Sequence, residues 1–187
     1  MTFIYKYYKY FQPICILDAI KRPKDLLHIQ NILNMSYNIM ILQKAIKNWR
    51  KKDTYKQQGE IHWFVWLLEN PSSPISLTGA VDLYNHDIIH ILLNRDMEVK
   101  DEAMVIGFTM GNSDTTSSWV RWLFEFCARY LYPEGYAFDD KILLEFERGY
   151  AYGYTRKKRN IHLANFNVKK DIVKLRKEWG INIKKVL

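Results

Sequence analysis

The sequence predicts an all-α fold: one domain over residues 1–187, built as a bundle of about six to eight helices. Three observations predict it. Apolar residues recur at helical spacing nearly throughout, the mark of helices that each bury one face. Eight glycines and five prolines are too few for the many turns of an all-β chain. At 187 residues with 48% apolar content, the chain fits one domain, can bury a real core, and is too apolar to be disordered.

The elements follow in chain order. The N-terminal run M-T-F-I-Y-K-Y-Y-K-Y-F lacks the apolar region and cleavage site of a secretory signal. It reads as a first packed helix whose mixture of aromatics and lysines would also suit a lipid headgroup layer. Pro23 and Asp25 open a helix to about residue 47, with Leu26, Ile29, Leu33 and Tyr37 on one face. A polar, basic segment follows over 48–58. An apolar helix over 61–68 is stopped by Asn70, Pro71 and Pro74, the clearest loop in the chain. The next helix, over 76–93, is apolar on more than one side and is therefore expected to be buried. Asn94, Arg95 and Asp96 break it, and a second helix then carries Glu102, Met104, Val105, Ile106 and Phe108. A break that short makes the two antiparallel neighbours. A polar linker over 111–118 offers Asp114 or Thr115 as an N-cap. An aromatic-rich helix over 119–131 ends before Pro133 and Gly135. Asp139 or Asp140 caps a helix to about residue 154, and a last helix over 168–179 stops at Gly180.

Charge and cysteine content narrow the function classes. Cys15 and Cys127 form no C-x-x-C and no disulfide framework, which points to a reducing compartment or inert core thiols. The net charge is +8, with basic residues gathered at Lys44, Lys47, Arg50, Lys51, Lys52 and Lys56, over 156–159, and over 169–185. Solvated helix faces account for much of this. The functional reading is attraction to a polyanion, and no nucleic-acid motif is present, so an anionic membrane surface is expected and nucleic acid is not. No apolar run approaches the ~18–20 residues of a membrane-spanning helix, which makes the expected association peripheral.

The most informative stretch is H-D-I-I-H-I-L-L-N-R-D-M-E-V-K-D-E, residues 86–102. His86 and His90, four apart, share one helix face. Glu102 can return from the next helix and close a metal site. Imidazole and carboxylate suit a borderline divalent cation, zinc first, with Mg2+ and Fe2+ as the other candidates. A lone buried histidine is usually a satisfied core residue, but burying this whole group without partners would cost several kcal/mol. The expected metal ligands are His86, Asp87, His90 and Glu102, which would act in catalysis through the metal. Asp87 points roughly 100° from His86 and either reaches the metal or orients a ligand. Asp82, four residues before His86, is a further orienting candidate or a surface carboxylate.

Three other motifs compare poorly. In H-E-x-x-H proteases a glutamate stands where this chain has Asp87, and aspartate is one methylene too short to serve as that base. HD-type phosphohydrolases need a separate upstream histidine and a downstream aspartate; His62 and Asp139 exist, but nothing marks them out, and Glu102 would be idle. A di-iron bundle wants a second Glu-x-x-His pair, which the chain lacks.

The full spacing of His86, Asp87, His90 and Glu102, H-D-x-x-H followed eleven residues later by glutamate, resembles the signature of the coenzyme Q biosynthesis protein 4 family. The stretch A-M-V-I-G-F after Glu102, L-D-A-I-K-R-P-K-D near residue 20 and L-R-K-E-W-G-I at 175–181 are also similar. The chain departs from the pattern at Asn94 and Asp101, where the family often has glycine. The resemblance implies an all-α fold and zinc at the four matching positions. It implies a peripheral protein on the inner face of a bacterial membrane, or on the matrix side of the mitochondrial inner membrane in a eukaryote. The implied substrate is a polyprenylated hydroxybenzoate, a prenylated quinone precursor, and the implied chemistry is removal of its ring C1 carboxylate. Other quinone-biosynthesis proteins would be partners. Two alternatives stay open: a non-catalytic isoprenoid-lipid-binding scaffold for a quinone-biosynthesis complex, and an HD-type metal phosphohydrolase. Trp63, Phe64, Trp66, Trp119, Trp122, Phe124 and Phe126 supply large apolar side chains for a prenyl groove or, for any one of them, ordinary core. An aromatic-rich helical surface also admits a homodimer.

Overall fold

The computed structural model describes residues 40–52, 72 and 77–186. The chain from Met40 to Leu187 forms one compact unit. Among the described residues there are six α-helices and no strand: α1 Leu42–Trp49, α2 Leu83–Leu93, α3 Val99–Asn112, α4 Ser118–Tyr130, α5 Asp140–Tyr154 and α6 Ile172–Glu178. Single 3-10 turns lie at Ile161–Leu163 and Ile183–Lys185. The all-α class is what these residues adopt. The expected helix over 61–68, the N-terminal helix and the first part of the helix from Asp25 lie outside the described residues.

Several boundaries differ from those the sequence suggests, and capping explains most of them. Ile41 is extended and bridges Asp171, so α1 begins at Leu42 instead of continuing an earlier helix, and it runs two residues past 47. The helix expected over 76–93 starts only at Leu83. Gly79 sits at φ +87°, outside helical space, and the Asp82 carboxylate accepts from the backbone N–H of Tyr84 and Asn85, both at 3.1 Å. Asp82 is thus an N-cap, and its carboxylate holds the helix start. Ser117, not Asp114 or Thr115, caps α4, because Asp114 is held by Arg159 and Asn160 across the fold. Asp139 caps α5 as expected, accepting from Ile142 N–H at 2.8 Å. The last helix shortens to α6 because Asp171 takes the cap position.

Two packed cores position the site. In the first, α2 is buried on every side from Asp87 to Leu93, as its all-round apolar sequence requires. It packs with Leu42, Ile46 and Trp49 of α1 and with Leu175 and Trp179 from the C-terminal region. Arg176 donates to the Ile91 and Leu92 carbonyls at 2.9 and 2.8 Å, satisfying acceptors that the end of α2 leaves open. The second core gathers Phe124, Cys127 and Ala128 of α4 with Phe138 and Phe146.

Among the described residues the tightest helix contact joins α3 and α5. Gly107 and Gly111 lie against the backbone of Phe146 and Tyr150, and Gly149 and Gly153 lie against that of Met104 and Phe108. The contact register rises along both helices together, so they run parallel, with α4 as the return between them. A Cβ at Gly107 would meet the Phe146 carbonyl oxygen at 2.1 Å, and one at Gly149 the Met104 oxygen at 2.2 Å. Only glycine allows this approach.

Candidate metal centre

The turn between α2 and α3 brings the site together. Asn94 ends α2 in the left-handed conformation, at φ 57°, which asparagine tolerates better than most residues. The Asp101 carboxylate then accepts from the Asp96 N–H at 2.9 Å and from Arg95 at 3.1 Å. This fixes the first turn of α3, where Glu102 stands, over the histidine face of α2. Carboxylates there are also favoured by the helix N-terminus.

The geometry brings three of the four expected ligands together. Oε2 of Glu102 lies 3.4 Å from Nε2 of His86 and 3.3 Å from Nε2 of His90. One donor atom from each of the three falls within 4.8 Å of the others. The two rings meet edge to face, with centroids 4.6 Å apart. His90 is fully buried, and among the described residues neither of its ring nitrogens makes a hydrogen bond. His86 and Glu102 are each partly open to solvent.

The donor set fits a divalent cation. A tetrahedral zinc with bonds of ~2.05 Å has ligand–ligand edges of roughly 3.3 Å, which matches both nitrogen–oxygen separations. A buried imidazole whose nitrogens make no well-formed hydrogen bond is costly in apolar surroundings, and a cation shared with Glu102 would satisfy Nε2. Burial pushes the His86 pKa down to about 4, so at neutral pH its ring is uncharged and its lone pair can serve a metal. Burial works in the same sense at His90, but the adjacent Glu102 carboxylate outweighs it and holds that pKa above its ordinary value.

Asp87 is the one expected ligand that this grouping does not include. Its carboxylate faces α1, where Oδ2 accepts from Arg50 Nε at 3.0 Å and pairs with the same guanidinium again at 2.9 Å. The side chain is fully buried. Burial raises its pKa, with Arg50 working against the rise. Arg50 also lies over the Tyr84 ring at 5.5 Å. Asp87 therefore anchors α2 to α1 through Arg50, while its other oxygen, Oδ1, is buried without a hydrogen bond among the described residues.

The sequence reading missed Arg50 and Trp49, the latter packing its ring 5.4 Å from that of His90. Both lie at the end of α1, two and three residues beyond the expected stop at about residue 47, and their spacing carried no signal. Of the HD-type residues, Asp139 is spent capping α5, and His62 lies outside the described residues, as do Trp63, Phe64 and Trp66. Phe124 is core, while Trp119, Trp122 and Phe126 are exposed.

No family model, no curated protein and no solved structure matches this chain.

Proposed function

We propose that the chain is a metal-dependent enzyme of ubiquinone or a related quinone pathway, removing the C1 carboxylate of a polyprenylated hydroxybenzoate. The observation that supports this reading is the convergence of His86, His90 and Glu102 from two successive helices, at the motif spacing that resembles the coenzyme Q biosynthesis protein 4 family. His86, His90 and Glu102 would hold the cation, and zinc suits two imidazoles and one carboxylate. Three protein ligands are the pattern of catalytic zinc sites, whereas structural ones are closed by four. When bound, the cation supplies Lewis acidity to a carboxylate or phenolate. In the reaction the bond from C1 to the carboxyl carbon breaks, its electron pair stays with the ring, a proton takes the carboxyl's place, and CO2 leaves. Neutral His86 presents its lone pair at neutral pH, the proton that Glu102 favours on His90 must leave before that ring can hold a cation, and the Arg50–Asp87 pair keeps α2 seated so that both rings face Glu102.

A scaffold that carries an isoprenoid lipid is the second reading, with the cation tying α2 to α3. The partial solvent access of His86 and Glu102 favours the enzyme. The test pairs metal analysis with turnover. The purified chain is expected to carry about one zinc, and His90→Ala and Glu102→Ala are expected to lose both metal and decarboxylation of a prenylated hydroxybenzoate. Unchanged metal content in both variants removes the site. Lost metal with unchanged pathway flux favours the scaffold.

A further inference from the structure

The chain that follows α5 borders a cavity of about 350 Å³. Phe166, Leu175 and Trp179 line it and are all buried, and the Phe166 and Trp179 rings lie 6.0 Å apart. Leu163 adds exposed apolar surface to its wall. Small-molecule sites combine such a lining with a few convergent polar groups.

The charged groups of this cavity converge on one point. Lys158 pairs with one oxygen of the Glu178 carboxylate and Lys170 with the other. The lining holds these two ammonium groups and one carboxylate, so one positive charge is left over. Lys158 Nζ also lies 4.0 Å from the centre of the Trp179 ring. An anion on that ammonium would carry its body within reach of the aromatic floor. All three charged side chains are partly exposed, and pairs of that kind are weak enough to exchange.

Charge, lining and size together select the occupant. The surplus charge selects a monoanion. The buried rings and leucine select an apolar body. The volume falls at the small end of the ~300–1,000 Å³ range of ligand sites, which suits a single ring better than a long chain or a nucleotide. Asn160 and Asn167 also line the cavity, but their side-chain oxygens already accept from the backbone N–H groups of Asp114 and Lys169, which disfavours a sugar.

We propose that this cavity binds a small carboxylate carrying one apolar ring, and that the ligand's carboxylate takes the place of Glu178 between Lys158 and Lys170. Glu178 is then an internal occupant that the ligand displaces. None of His86, His90 and Glu102 lines the cavity, so the site stands apart from the metal centre. Arg176, next to Leu175 on α6, holds the Ile91 and Leu92 carbonyls, so an occupant would also brace the segment that seats α2.

The test is calorimetric titration of the full chain with phenylacetate. Binding is expected with a Kd of roughly 1 mM or tighter, and saturating ligand should raise the melting temperature. Phenethyl alcohol lacks the charge, phenethylamine has the opposite charge and acetate lacks the ring, so each should bind at least about tenfold more weakly. Lys158→Ala/Lys170→Ala is expected to lose the binding. Glu178→Gln frees both ammonium groups and is expected to bind about fivefold more tightly than the parent. The proposal is overturned if the parent does not bind phenylacetate, or if the alcohol binds as well as the acid. Both of those results come from the unaltered protein and stand whether or not a variant folds. It is equally overturned if the double lysine variant keeps the parent's affinity, which would place the carboxylate elsewhere, or if folded Glu178→Gln binds no more tightly than the parent.

Discussion

Asp87 and His90 stand three residues apart on one buried helix and do different work. His90 turns toward Glu102, and Asp87 turns toward Arg50. The distinction can be measured. Asp87→Asn is expected to keep the metal at the parent's stoichiometry while lowering stability, and a metal loss as complete as that of His90→Ala would return Asp87 to the ligand set. Arg50→Ala leaves a fully buried carboxylate without its cation, an effect on the order of 2 kcal/mol read as a lower urea midpoint. Adding Asp87→Asn to Arg50→Ala should recover part of that loss, because a neutral amide is cheaper to bury than an unpaired charge. The histidines and Glu102 were legible in the sequence because the helical repeat and one short turn suffice to bring them together. Arg50 was not, because it meets Asp87 across 37 positions from a segment that reads as a polar linker.

At the scale of elements, helix existence was legible and helix starts were not. Apolar periodicity marks α2 to α5, but before α4 the run S-D-T-T-S offers several capping side chains in a row, and the choice of Ser117 depends on Arg159 and Asn160 drawing Asp114 away. The glycines of α3 and α5 were equally silent. G-F-T-M-G and G-Y-A-Y-G look like weak helix segments until the partner helix, some forty residues away, is in place. Their role predicts an ordering of substitutions. Gly149→Ala puts a Cβ against the Met104 carbonyl oxygen. Because that oxygen is backbone and cannot swing aside, the two helices must part, at about 3 kcal/mol or more. Gly135→Ala has open space around it and a φ of +90°, so only the left-handed backbone resists, at about 1–2 kcal/mol. Equal losses in chemical denaturation would mean that α3 and α5 are less closely packed than their glycines imply.

Across the described molecule, the region after α5 acts as a strap over α2 and α3. Ile161 N–H donates to the Asn112 side chain at the end of α3, Asn85 of α2 reaches the Ala164 carbonyl, and Arg176 of α6 holds the end of α2. Glu178 fastens the strap to itself by pairing with both Lys158 and Lys170. The two ammonium groups pull its pKa down to about 2. A carboxyl whose folded pKa lies below its unfolded value of 4.5 stabilises the fold above pH 4.5, and that contribution drains away as pH falls from 4.5 toward 2. Solvent screens these exposed pairs, so the two together contribute about 1 kcal/mol, and added salt should reduce it further. Glu178→Gln removes the titrating group while keeping the shape. The variant is expected to be less stable than the parent at pH 7 and to approach it at pH 2–3, where the parent's carboxyl is taking up its proton. Denaturation midpoints measured at both pH values decide the matter. A gap between parent and variant that stays constant with pH would show that Glu178 holds the strap by packing, with its charge irrelevant. A gap that closes in acid would make the strap the first part of this fold to loosen there, and would release the end of α2 that Arg176 now holds.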